Sequence, residues 1–321
     1  MSLLTPTLVA AGPVTSLYVL GDSLSDQGNG FLLTGGTFPP PPYVQRASNG
    51  PVAVERLAEA LGVPLAPSAA GGTNYAVLGA TTGPVAIPGS SPPVTTENFT
   101  ALQYGQPALA GTSLQSQALA ILQAGPITDA AGSLFVVWGG ANDFFVSPSP
   151  ATAAGAVGNL AGVITALYGG GARNFLVLNL PDLSRTPSGQ SLPATQQAGL
   201  QALTLGFNNG LASAVSGLSG LPGIELTLFD TFGFFNTLLT NPGTFGLSNT
   251  STPCLSGNLQ AGGAICADPD AYVFWDSVHP TTAAHRALGD ALAAAAVPEP
   301  ATVILVSLGM GLAAARRRRA A

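Results

Sequence analysis

Lysine is absent from the 321 residues, and charged side chains of any kind make up only 7% of the chain. Nine arginines supply the positive charge, and four of them stand together at Arg316 to Arg319. Ahead of Pro298, five arginines face 14 acidic residues, a net charge of −9. Nucleic-acid binding needs clustered cations that displace counterions from a phosphate backbone, so no nucleic acid is expected as a partner. A surface of this sign suits a neutral or apolar substrate better than an anionic one. Cysteine and histidine are scarce, with two of each. No Cys-x-x-Cys pair occurs, so tetrahedral metal-ligand spacing is missing, and neither a metal nor another cofactor is expected. Cys254 and Cys266 lie in a stretch rich in Gly, Ser, Asn and Pro. A disulfide there would staple the loop, worth roughly 3 kcal/mol on loop-closure grounds. Two free thiols are the alternative, and the spacing favours an oxidising compartment.

What is present is apolar and turn-rich: 46% hydrophobic residues, 41 Gly and 27 Pro. Such a chain can bury a core. Short apolar runs alternate with helical stretches. Leu17 to Leu20, Leu134 to Trp138, Phe175 to Leu178 and Ile224 to Phe229 read as buried strands. Pro51 to Leu61, Leu114 to Gln123, Ala151 to Tyr168, Thr195 to Ala214, 231–239 and Thr282 to Ala296 read as helices. Near-continuous apolar strands separated by crossover-length helices imply an α/β fold with a parallel sheet covered on both faces. Gly71 to Ala80 reads as a short strand running into a small-residue turn, and 30–50, 81–112 and 240–268 read as loops. There is no internal repeat, and one domain over 16–296 is the simplest division. Residues 1–15 are apolar and lack a basic start, which leaves a signal remnant and a leader strand equally open.

Three stretches carry candidate chemistry. Gly21-Asp22-Ser23 follows the first strand, so it places a hydroxyl past a carboxyl edge, where open α/β sheets bind ligands. Ser23 is therefore a candidate nucleophile, although Gly-Asp-Ser is also ordinary turn chemistry. His279 in Asp276-Ser277-Val278-His279 is the candidate base, with Asp276 three residues away to orient it. His285 on the following helix reads as a solvated or capping histidine. The Ser23 N–H, Gly79 and the Asn142 side chain are candidate oxyanion donors. A turn glycine and an Asx turn are the plain alternatives for the last two.

In this order, these residues resemble the GDSL or SGNH hydrolase family. The first block is Gly21 to Asn29, the second Gly72 to Ala80, the third Gly139 to Asp143 and the last Asp276 to Pro280. Residues 171–187 also look familial. Leu78 departs from the pattern, because many members carry a second glycine there. The resemblance implies an α/β/α sandwich with a flavodoxin-like parallel sheet. It implies Ser23, Asp276 and His279 as the catalytic residues, and Ser23, Gly79 and Asn142 as the oxyanion hole. It also implies cleavage of a small-molecule or lipid ester. No Gly-x-Ser-x-Gly elbow occurs, which argues against the α/β-hydrolase alternative.

The end of the chain is a separate object. Pro298-Glu299-Pro300 precedes an uncharged apolar segment, 301–315, and then the arginine cluster. Fifteen helical residues span about 22 Å, short of a roughly 30 Å hydrocarbon core, so the segment suits transient inner-membrane association. Residues 297–321 closely resemble a PEP-CTERM sorting segment. That resemblance implies a Gram-negative source, export to the surface or extracellular matrix, and an exosortase as partner. Export to a matrix raises an alternative substrate, an O-acetylated extracellular polysaccharide. A catalytically idle matrix protein is the third reading.

Overall fold

The computed structural model describes residues 13–296. Most of the 1–15 leader and all of 297–321, including the apolar segment 301–315, lie outside the described residues. In chain order the strands are β1 (Ser16–Gly21), β2 (Ala80–Ala86), β3 (Thr95–Asn98), β4 (Ser133–Trp138), β5 (Asn174–Leu178) and β6 (Glu225–Phe229). The helices are α1 (Asn29–Leu33), α2 (Ala53–Leu61), α3 (Phe99–Tyr104), α4 (Leu114–Ala124), α5 (Ala141–Val146) and α6 (Pro150–Gly169). They continue with α7 (Pro187–Gln190), α8 (Ala194–Leu218), α9 (Thr231–Thr240) and α10 (Thr282–Ala296).

Strands β1, β4, β5 and β6 form one parallel sheet in that order. On the free side of β1, the Val19 N–H donates to Thr73 O at 3.1 Å and the Tyr75 N–H to Val19 O at 2.8 Å. Residues 73–75 thus continue the sheet as an irregular edge, and with them the strand order is flavodoxin-like. Side chains alternate across the sheet. Leu20, Phe135, Val137, Phe175 and Val177 pack with α4, α6 and α8 on one face. Leu17, Val19, Val136, Trp138 and Leu176 pack with α2, α9 and α10 on the other. The three-layer α/β/α architecture expected from the alternating pattern is therefore present.

Local rules explain the covering helices. The Glu55 carboxylate accepts the Val52 N–H at the start of α2, and Gly62 ends that helix with φ 69°. Thr281 caps α10 through its hydroxyl, which accepts the Ala284 N–H. Helix α6 is long and apolar enough by composition to cross a membrane. Here it is a core helix, with Leu160, Val163, Ile164 and Leu167 buried against the sheet and its neighbours.

Two stretches differ from the sequence reading. The region 81–112 is not one loop: it holds the β2–β3 antiparallel hairpin, α3 and a 3-10 turn at Pro107–Leu109. Five prolines and four glycines spread through it mask the short strands. The region 30–50 contains α1, a five-residue helix that no apolar period announces. It forms because a buried carboxylate gathers its first amides.

Candidate active site

Ser23 stands at the tip of a tight turn that ends β1. Gly21 is required there, since a Cβ would come within 2.8 Å of Trp138 O. The Asp22 carboxylate accepts the Leu24 N–H at 3.0 Å, and Asp22 O accepts the amides of Ser25 and Asp26. Next to the turn, Asp26 is fully buried and accepts four backbone amides: Gly28 at 2.7 Å, Asn29 at 2.6 Å, Gly30 at 3.0 Å and Leu78 at 2.8 Å. Burial still pushes its carboxyl above the usual range. The Leu78 bond ties the Gly79 loop to the nucleophile turn. Asn29 does the same by donating to Asn74 O and Ala76 O, and Asn74 donates to Ser25 O. Leu78, the departure from the family pattern, is buried against Gly30, where a Cβ would clash with its side chain.

The base arrives from the far end of the chain. The Ser23 hydroxyl lies 3.0 Å from His279 Nε2, across 256 residues of sequence. His279 Nδ1 lies 2.8 Å from Asp276 Oδ2, which fixes the tautomer with Nε2 free to accept the serine proton. Asp276 Oδ1 accepts the backbone amides of Val278 and His279, and the Tyr43 hydroxyl donates to Oδ2 at 2.7 Å. Burial pushes the Asp276 carboxyl up. The His279 charge and these hydrogen bonds outweigh it and hold the group below the usual carboxylate range. Burial also opposes charging of His279, but the Asp276 carboxylate prevails and raises the imidazole above its ordinary value.

Three donors surround the serine. Among the described residues, the Ser23 and Gly79 amides donate to no protein acceptor. Gly79 adopts φ 78°, and a Cβ there would come within 2.2 Å of Thr100 Oγ1. Only glycine fits, for both backbone and space. The Asn142 amide nitrogen donates to Ala80 O at 3.0 Å and, at a longer 3.3 Å, to Asp22 Oδ2. Burial pushes Asp22 up to about 6. Asp143, beside Asn142, is also buried and is pushed up to about 7, while Thr82 donates to it through both amide and hydroxyl.

Of the five sequence-derived candidates, Ser23, Gly79, Asn142 and His279 line one cleft, and Asp276 lies behind His279. The cleft encloses about 90 Å³. Its walls are mainly apolar: Phe99, Phe145, Leu183, Phe235, Leu239 and Phe274. Among the described residues no cluster of His, Cys, Asp and Glu could hold a metal.

Cys254 and Cys266 are joined in a disulfide. Its loop packs Cys254, Leu255 and Leu259 over Phe38, Tyr43 and Trp275, and the Leu255 amide donates to Trp275 O. That small core backs Tyr43 and hence Asp276. His285 is not solvated: it is 1% exposed, and its Nδ1 accepts the Ala53 N–H at the start of α2. Burial lowers it to about 3. Capping, the other half of the sequence reading, describes it.

Sequence reasoning missed Tyr43, Asp26, Asn29, Asn74 and Gln117. Gln117 accepts the Gly21 N–H and donates to Gly21 O, bracing the strand end. Asp26 had a signal, an Asp placed just before Gly28-Asn29 where an Asx turn can start a helix. Tyr43 had none, since its partner is 233 residues away.

The model of GDSL-like lipases and acylhydrolases matches residues 17–292, and that of the PEP-CTERM protein-sorting motif matches 296–319. The thermolabile hemolysin of Vibrio parahaemolyticus is 32% identical over 289 residues, covering 85% of this chain and 62% of that protein. An uncharacterized protein of Pseudomonas putida is 30% identical, and the chain spans 48% of its length. The phosphatidylcholine-sterol acyltransferase of Aeromonas hydrophila is 26% identical over 320 residues, covering 85% of this chain and 88% of that protein.

Proposed function

The chain belongs to the family of GDSL-like lipases and acylhydrolases, and from that premise we propose that it is an exported serine hydrolase of carboxylic esters. The observation that carries the reading is the unbroken relay from Ser23 Oγ to His279 Nε2 at 3.0 Å and from His279 Nδ1 to Asp276 at 2.8 Å.

The chemistry follows from that relay. Ser23 Oγ attacks the ester carbonyl carbon while its proton passes to His279 Nε2. Asp276 stabilises the imidazolium through Nδ1–H. The carbonyl oxygen, now anionic, accepts hydrogen bonds from the Ser23 and Gly79 amides and from the Asn142 side chain. The tetrahedral species collapses, the C–O bond to the alcohol breaks, and His279 returns its proton to the leaving oxygen. Water, deprotonated by His279, then attacks the acyl-serine and releases the acid. An alcohol in place of water would give acyl transfer, a second outcome favoured by the acyltransferase among the relatives. The polysaccharide-deacetylase reading has little to support it in a cleft walled by phenylalanine and leucine.

The sorting motif marks the chain for export. We take 16–296 as the catalytic domain and 297–321 as the segment read by an exosortase, with surface or matrix as the destination. Hydrolysis of p-nitrophenyl esters from acetate to palmitate tests the catalytic reading. The parent should turn over at least one ester, and Ser23→Ala should lose at least about 10⁴-fold in kcat while its circular dichroism is unchanged. Activity retained in that variant would overturn the assignment.

A further inference from the structure

Two buried carboxylates flank the Asn142 side chain, and the acyl-transfer steps use neither. Asp22 belongs to the nucleophile turn. Asp143 is 1% exposed and does not line the catalytic cleft. A carboxylate buried so completely is a poor choice for packing alone. Its partners show what it holds. Oδ1 accepts the Thr82 hydroxyl at 2.6 Å, and Oδ2 accepts the Thr82 amide at 3.0 Å. The preceding residue, Asn142, donates to Ala80 O at 3.0 Å. Adjacent residues of α5 thus grip alternate residues of β2, and Gly79 immediately precedes the first of them. The two oxyanion donors that the nucleophile turn does not carry, the Gly79 amide and the Asn142 side chain, are joined through this pair of rungs.

The main sheet gives β2 no support, because β2 pairs only with β3 in a separate two-stranded hairpin. The register of that hairpin shifts between Ala80 and Val85, and Thr82 falls within the irregular stretch. Side chains back the clamp instead. Asn159 of α6 donates to Thr82 Oγ1 at 3.0 Å, and Gln115 of α4 donates to Asn159 Oδ1 at 3.0 Å. Gly83 leaves room for both, since a Cβ there would come within 2.7 Å of each.

We propose that Asp143 is a positioning residue for the oxyanion hole: by clamping Thr82 it fixes the Gly79 amide and the Asn142 side chain at one spacing. The proposal rests on the serine-hydrolase reading and adds to it a residue that touches no substrate. Donors set for an anion act in the transition state more than in substrate binding. Releasing the clamp therefore lowers kcat and leaves KM nearly unchanged. A misplacement of about 1 Å in such a site costs up to about 10²-fold.

Asp143→Ala tests it on the full chain, with the p-nitrophenyl ester that the parent turns over fastest. The expected result is a loss of at least tenfold in kcat with KM within threefold of the parent. Labelling of Ser23 by a p-nitrophenyl alkylphosphonate should be slower but reach the parent's stoichiometry. A lower stoichiometry with normal turnover per labelled site makes Asp143 a stability residue and overturns the proposal, as does an unchanged kcat. The fold-loss from Asp143→Ala should shrink at least threefold in an Asn142→Ala background, because the donor it positions is already gone. An undiminished loss there overturns the proposal. If Asp143→Ala does not fold, Thr82→Val carries the test, since it removes the hydroxyl donor and keeps the strand amide. Its kcat should fall at least threefold at constant KM, and a parent-like kcat overturns the proposal. A parent that hydrolyses no ester and takes up no phosphonate overturns the hydrolase reading and this proposal with it. An active parent with equally active variants overturns this proposal alone.

Discussion

The two walls of the catalytic cleft are held in different ways. The nucleophile wall is local and saturated with backbone hydrogen bonds: Asp26 alone gathers four amides, and Asn29 and Asn74 sew the Gly79 loop to the turn. It sits on a buried parallel sheet. The base wall has no regular element under it. His279 and Asp276 are carried by a loop, covered by the adjoining Trp275, by the nearby Cys254–Cys266 loop and by Tyr43 from 233 residues away. The nucleophile wall should therefore fail only with the whole fold, whereas the base wall can fail alone.

Four substitutions sharpen or break that contrast. The largest effect is expected from Asp276→Asn. It leaves the packing in place but removes the charge that orients His279, so kcat should fall about 10⁴-fold while the urea midpoint moves little. A midpoint that falls as far as activity does would show the base wall to be part of the main fold. Asp26→Ala acts on the other wall. Four buried amides lose their acceptor, each costing about 1–3 kcal/mol. The variant should lose at least about 4 kcal/mol in urea unfolding, and near-normal stability would contradict the account of that wall.

How much was legible follows the same divide. Ser23, Gly79 and Asn142 could be read because each sits at a strand end or a tight turn with a short local pattern. The parallel sheet was legible because strands buried on both faces are apolar throughout. Tyr43 was not, since its role depends on a contact across 233 residues. The β2–β3 hairpin was hidden because Gly83, Pro84 and the prolines after Ala86 read as loop. His285 was misread in part, as its nearly complete burial depends on α2 packing over α10.

Next in size is the disulfide. Cys254→Ser with Cys266→Ser should cost roughly 3 kcal/mol by loop closure. Activity should be lost at a lower temperature than the far-ultraviolet circular dichroism signal, because the cover over Tyr43 loosens before the sheet melts. Coincident loss of both would remove the distinction between the walls. The smallest effect is Tyr43→Phe. One hydrogen bond to a buried carboxylate is worth about 1 kcal/mol, so kcat should fall about fivefold. The pH profile is the sharper readout. His279 must be neutral to act as base, and its raised value means activity falls on the acid side above the ordinary histidine range. Without the Tyr43 proton, Asp276 is a stronger partner for the imidazolium. The acid limb should then move to higher pH, and a limb that stays in place would make Tyr43 a packing residue only.

The most direct measurement is mass spectrometry of the full chain after treatment with a p-nitrophenyl alkylphosphonate. Attack by an activated serine forms an Oγ–P bond and expels p-nitrophenolate. The account predicts stoichiometric mass gain located on Ser23, with a rate that rises with pH as His279 loses its proton. No adduct on a folded chain, or an adduct on another residue, would contradict it.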